Sequence, residues 1–166
     1  VTFHAFAHGG EAIALANDGR VVFVQGALPG ETATVKLLKV KKRWARGELL
    51  EIQQTSPDRV KVGCPAAAAG AGCCDFAHMS ESLQRAAKTE VLVGQLEKMA
   101  RPSGVLDGID LTAISVQALA PTTGWRTRIR LGTDAQGRAG FRKARSNDVV
   151  AERCTQAMPE LFDGIV

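Results

Sequence analysis

The sequence predicts an α+β protein: an N-terminal β-barrel followed by a small mixed β-sheet domain with one long helix and a four-cysteine site. Three observations carry this. The first fifty or so residues break into five short alternating runs separated by turn residues. One stretch, residues 80–101, has apolar residues at helical spacing. Three of the four cysteines crowd into "GCPAAAAGAGCCDFAH", and Cys154 lies far downstream. The 166 residues suffice for one ordinary domain or two small ones, and 45% hydrophobic with 23% charged residues is a globular composition. With no Tyr, two Trp and six Phe, the core must rest on aliphatic side chains.

The strands come first. "VTFHAFA" alternates, and "EAIALA" and "RVVFVQG" flank Asn17-Asp18-Gly19, a hairpin signal because this triplet tolerates positive φ. "GALPGE" marks the next turn, where Pro29 presets φ. "TATVKLLKV" and "RGELLEI" complete five strands, which suit a small closed barrel of the OB type over residues 1–56. An open meander is the plainer alternative. "TSPDRV" reads as a linker, and residues 57–166 form the second domain.

In "SESLQRAAKTEVLVGQLEKMA", Leu83, Ala87, Val91, Leu92, Leu96 and Met99 keep helical spacing. Ser80 is the expected N-cap, and Pro102 the stop. Beyond it, "LTAISVQAL" and "WRTRIRLGT" alternate as strands do, "DAQG" makes a turn, and "RAGFRKARSNDVV" supplies one or two further strands. "CTQAMPELF" begins a last short helix.

Positive charge is clustered more than the net +4 implies. "VKLLKVKKRWARG" carries Lys36, Lys39, Lys41, Lys42, Arg43 and Arg46 with no acid among them, and Trp44 inside the cluster. Nucleic-acid phosphates would offset that repulsion, and Trp44 would stack on an unpaired base. A lysine-protected edge strand is the bland reading. In the second domain Arg126, Arg128 and Arg130 alternate on one strand face, followed by Arg142, Lys143 and Arg145. Trp125 and Phe141 are the candidate stacking surfaces there. No apolar run is long enough to span a membrane and no secretory leader opens the chain, so a cytoplasmic location is expected. The first residue, Val, and the ending "LFDGIV" suggest a fragment.

Cys64, Cys73, Cys74 and the distant Cys154 fit one four-thiolate site. All-sulfur ligation suits an iron–sulfur cluster or zinc. Buried inert thiols and a redox disulfide are the other readings. Small residues and Gly63, Gly70 and Gly72 let the backbone approach such a centre, whereas the adjacent Cys73 and Cys74 can share it only on a sharply turned backbone.

These residues together resemble a known family. "HGGEAIALANDGRVVFVQGALPGETATVKLLKVKKRWARGELLEI" resembles the TRAM domain, an OB-like RNA-binding barrel. "SPDRVKVGCP", the clustered cysteines, "DFAH" and "LQRAAKTEVL" resemble the segment after TRAM in RNA uracil-5-methyltransferases, and "GWRTRIRLG", "GFRKARSNDVV" and "AERC" their central domain. The resemblance implies a [4Fe–4S] cluster on Cys64, Cys73, Cys74 and Cys154, with zinc as the alternative. It implies S-adenosylmethionine-dependent methylation at C5 of a uracil in rRNA or tRNA. The cofactor domain and the nucleophilic cysteine that attacks C6 are expected beyond this sequence, so the fragment is expected to bind RNA without catalysing. RNA contacts are then expected from Lys39, Lys41, Lys42, Arg43, Trp44, Trp125, Arg126, Arg128, Phe141 and Arg142. A monomer that avoids membranes is the expected state. The family usually has five residues between its first two cysteines and then Cys-Gly-Gly-Cys. Here the gap is eight and the last two cysteines touch, Ala77 stands for Gln, and Thr155 for Pro. A freestanding RNA-binding or redox-sensing module is the rival reading.

Overall fold

The structure is a computed structural model that describes residues 1–165, apart from the side chain of Arg101. Contacts divide it into two compact units that do not follow chain order. One joins Val1–Arg59 with Met79–Gln117; the other joins Val60–His78 with the chain from Ala118 onward.

The first unit holds five strands: β1 (Phe3–Phe6), β2 (Ala12–Leu15), β3 (Val21–Val24), β4 (Thr32–Val40) and β5 (Trp44–Gln54). Their order is β1-β2-β3-β5-β4, antiparallel except for the parallel β3–β5 pair. The β2–β3 hairpin turns where the sequence asks it to: Gly19 has φ of 82° and its N–H donates to Ala16 O at 2.9 Å. Alternation delivers Phe3, Ala12, Ala14, Val22, Val24 and Ala33 to one core. The expected closed barrel is corrected to a curled sheet. The β1 edge meets the start of β4 at an antiparallel bridge, Thr2 with Thr32, flanked by the Phe3 N–H to Glu31 O and Ala33 N–H to Val1 O bonds, each 2.9 Å.

The helix is present as α2 (Glu81–Ala100), after a one-turn α1 (Pro65–Ala68). The Ser80 hydroxyl accepts from the Leu83 N–H at 3.2 Å and donates to Asp58 at 2.6 Å, the N-cap that the sequence predicts. Of the apolar stripe only Ala87 is buried; Leu92 and Met99 are exposed. No helix among the described residues is long and apolar enough to cross a membrane.

Two expected strands are absent. Asp110 accepts from the Thr112 N–H at 2.9 Å and folds Leu111–Ala113 into a 3-10 turn, so residues 111–119 form no strand. Residues 125–131 keep their alternation, with Ile129 and Leu131 partly buried, but lack a ladder: only Arg126 pairs, with Ala157. The strands of the second unit are β6 (Gly132–Thr133), β7 (Ala139–Arg142) and β8 (Val149–Val150), in that order. The "DAQG" turn forms, with Asp134 accepting from the Arg138 N–H at 2.9 Å. Gly140 must be glycine: a Cβ there would lie 2.2 Å from Val150 O. The last short helix is a 3-10 turn, Pro159–Phe162, and it buries Phe162 edge-on against Phe141 at 6.2 Å.

Candidate metal centre and nucleic-acid interface

The second unit explains how a distant cysteine joins three near ones. Cys64 precedes α1, whose Pro65 sits in the first turn where no N–H is needed. The Ala66 N–H donates to Arg153 O at 3.1 Å and fastens this turn beside Cys154. The Gly72 N–H donates to Arg142 O at 2.9 Å, and Ala71 bridges Lys143. These bonds lay the cysteine loop against β7. Gly72 is required at this crossing, since a Cβ would meet the Ala144 backbone at 2.8 Å.

The Sγ atoms of Cys64, Cys74 and Cys154 lie within 4.8 Å of one another. Cys73 stands outside this trio, hydrogen-bonded to Cys74. All four are free thiols. The hydrogen bond between Cys73 and Cys74 lowers the Cys73 pKa and, with burial, raises that of Cys74. Burial raises Cys154 as well. Ala66, Ala71, Phe141, Val150, Ala157 and Phe162 pack around the group. Mutually close sulfurs without a histidine or carboxylate among them suit a thiophilic centre, zinc or iron–sulfur.

The first unit presents the basic cluster at the β4–β5 turn. Lys41, Lys42 and Arg43 occupy its tip and are exposed, as is Lys39 on β4. Trp44 is half-buried. Phe23 meets its ring at 6.5 Å, and Lys39 and Arg46 lie over it at 5.8 and 6.0 Å. Arg46 is not free of acid, because Glu11 holds it at 3.0 Å from a loop remote in sequence.

In the second unit Arg126, Arg128, Arg130 and Arg142 are exposed. Trp125 is 51% exposed, its Nε1 donates to Gln156 at 2.8 Å, and Arg126 lies 5.0 Å over its ring. Arg142 donates to the Asn147 side chain. Phe141 is 8% exposed and faces the core, so its ring offers no free face to a base. Asp134, a possible partner for the arginine row, is taken by Arg138 at 2.7 Å. Sequence reasoning missed the fully buried Glu31 and its partner Arg59; neither residue carries a local signal for burial.

Comparison with known proteins shows what the sequence is similar to. Residues 1–50 match the TRAM domain. An uncharacterized RNA methyltransferase of Corynebacterium glutamicum is 51% identical over 162 residues, 96% of this chain and 37% of that protein. One from Streptomyces avermitilis is 37% identical over 161 residues, 92% of this chain and 37% of that protein. The 23S rRNA (uracil(1939)-C(5))-methyltransferase RlmD of Methylococcus capsulatus is 35% identical over 178 residues, 97% of this chain and 38% of that protein. The chain thus spans little more than a third of the length of these relatives. The TRAM match covers the five strands of the first unit up to residue 50. Over nearly all of its length the chain is similar to proteins named RNA methyltransferases.

Proposed function

We propose that the chain is the RNA-recognition and metal-centre portion of an S-adenosylmethionine-dependent RNA (uracil-5-)-methyltransferase that acts on ribosomal RNA in the cytoplasm. The observation that carries this is the likeness to the Methylococcus capsulatus 23S rRNA enzyme, which runs over 97% of the chain and so includes both the TRAM unit and the cysteine unit. Lys39, Lys41, Lys42 and Arg43 neutralise backbone phosphates at the β4–β5 tip, and each contact releases condensed counterions. Arg126, Arg128 and Arg142 act likewise in the second unit, where guanidinium forks match phosphate oxygens. Trp125 supplies the exposed ring for an unpaired base.

Cys64, Cys73, Cys74 and Cys154 hold the metal centre, a [4Fe–4S] cluster with zinc as the alternative. When bound, it cross-links the cysteine loop to the Cys154 segment and contributes folding free energy. The chain itself positions RNA, and methyl transfer from S-adenosylmethionine belongs to the rest of a longer protein. The test is methyl transfer by the full reading frame to 23S rRNA lacking the modification. Incorporation of label as 5-methyluridine is expected. No incorporation, or label on a base other than uracil, overturns the proposal.

A further inference from the structure

Two adjoining depressions, about 360 and 410 Å³, open on the cysteine unit, and Cys73, Arg130 and Phe141 line both. Arg142 completes the first; Arg126 and Arg128 complete the second. No carboxylate lines either one. Four guanidinium groups thus surround a hollow whose floor includes a cysteine of the thiol group.

The arrangement is built in. Ile129 and Leu131 pack into the core, which turns Arg128 and Arg130 outward. Trp125, tethered through Gln156, lies against Arg126. Among the described residues Arg126, Arg128 and Arg130 form no ion pair. Like charges held this close repel, and a multiply oxygenated anion relieves that cost through forked hydrogen bonds. An anion seated there also lies over Cys73.

We infer that this arginine-lined hollow is a phosphate subsite for RNA, and that RNA bound in it covers Cys73 and shields the thiol centre from solvent reagents. The inference rests on the RNA-binding reading above and adds to it Arg130 and a physical link between RNA occupancy and the cysteine site. It assigns no chemistry to the metal.

The experiment follows alkylation of Cys73 by iodoacetamide in protein freed of metal by a chelator, so that the thiol is available, read by mass spectrometry of the peptide. A uridine-rich single-stranded oligoribonucleotide is one probe, and inorganic phosphate at matched ionic strength the other. The oligonucleotide at saturation is expected to slow alkylation several-fold, and inorganic phosphate to have little effect. Combined Arg126→Gln, Arg128→Gln and Arg130→Gln is expected to abolish protection and to lower the salt slope of binding by about 2, at about 0.7 per single-strand phosphate contact. Combined Lys41→Gln, Lys42→Gln and Arg43→Gln, far from the cysteines in sequence, is expected to weaken binding yet keep protection at saturation. An unchanged Cys73 rate with RNA saturating the wild-type chain overturns the subsite and leaves RNA binding standing. Protection by inorganic phosphate equal to that by RNA makes it a free-anion site and also overturns it. Absence of any RNA binding brings down both readings.

Discussion

Arg59 grips Glu31 through two bonds, Nε to Oε1 at 2.6 Å and Nη2 to Oε2 at 2.8 Å, and the Glu31 side chain is fully buried. The Leu28 N–H at 2.9 Å and the Ser56 N–H at 3.3 Å complete the carboxylate's partners. Arg59 also donates to Gly26 O at 2.6 Å. A single acid thus joins the β3–β4 connection to the segment that leaves β5.

Removing one member of a buried pair strands the other, so Glu31→Gln or Arg59→Leu is expected to cost about 3–5 kcal/mol. Urea unfolding of the chain checks this. A loss under about 1 kcal/mol, in the range of exposed pairs, would contradict the burial.

The same pair sets an acid limit. Burial pushes the Glu31 carboxyl up, but the Arg59 guanidinium and the Leu28 and Ser56 N–H groups more than offset it and hold the pKa below the ordinary 4.5. A depressed native pKa means that the stabilisation is full above 4.5 and is lost as pH falls through the native value. Stability measured against pH should decline below 4.5 in the wild type, and more shallowly in Glu31→Gln. Equal slopes would contradict the linkage.

At the β4–β5 tip, replacing Lys41, Lys42 and Arg43 together with Gln should lower the slope of log affinity against log salt by about 2, at about 0.7 per contact with single-stranded RNA. Fluorescence anisotropy at several salt concentrations reads it. A parallel slope with a uniform drop in affinity would point to a folding defect rather than lost phosphate contacts.

The two tryptophans should differ. Trp125→Ala removes an exposed ring and should weaken single-strand binding by about 1–3 kcal/mol. Trp44→Ala removes a ring that packs on Phe23, so its main effect is expected on stability. Binding and melting measured side by side on the two variants test this division.

How far the sequence exposes this arrangement depends on how local each cause is. Asn17-Asp18-Gly19, the Ser80 cap and the stop at Pro102 act over a few residues, and each does in the structure what its chemistry demands. The row from Arg126 to Arg130 shows the limit. Its alternation sorts Ile129 inward and the arginines outward, yet a strand also needs a partner, and pairing ends at Ala157. Phe141 follows the same lesson: flanking basic residues suggest a recognition surface, while the packing of Phe162 from a distant segment puts the ring inside. Four cysteines raise the question of one site, and the backbone bond from Ala66 to Arg153, with the packing of Ala157 and Phe162, holds the Cys154 segment beside the loop.

Gly72 and Gly140 offer a check on the cysteine unit that needs no metal. Gly140→Ala places a Cβ on the Val150 carbonyl, and Gly72→Ala places one on the Ala144 backbone. Each is expected to cost about 1–3 kcal/mol as an overpacked contact. Chemical denaturation measures it; neutrality at both positions would contradict the close approach of the loop to β7.

The convergence of Cys64, Cys74 and Cys154, with Cys73 beside them, is tested most directly by metal content. Wild type and Cys154→Ser are purified anaerobically and analysed for iron, sulfide and zinc, with melting followed before and after chelation. The account predicts bound metal in the wild type, its loss or sharp reduction in Cys154→Ser, and a lower melting temperature whenever it is removed. Full metal occupancy and an unchanged melting curve in Cys154→Ser would contradict it.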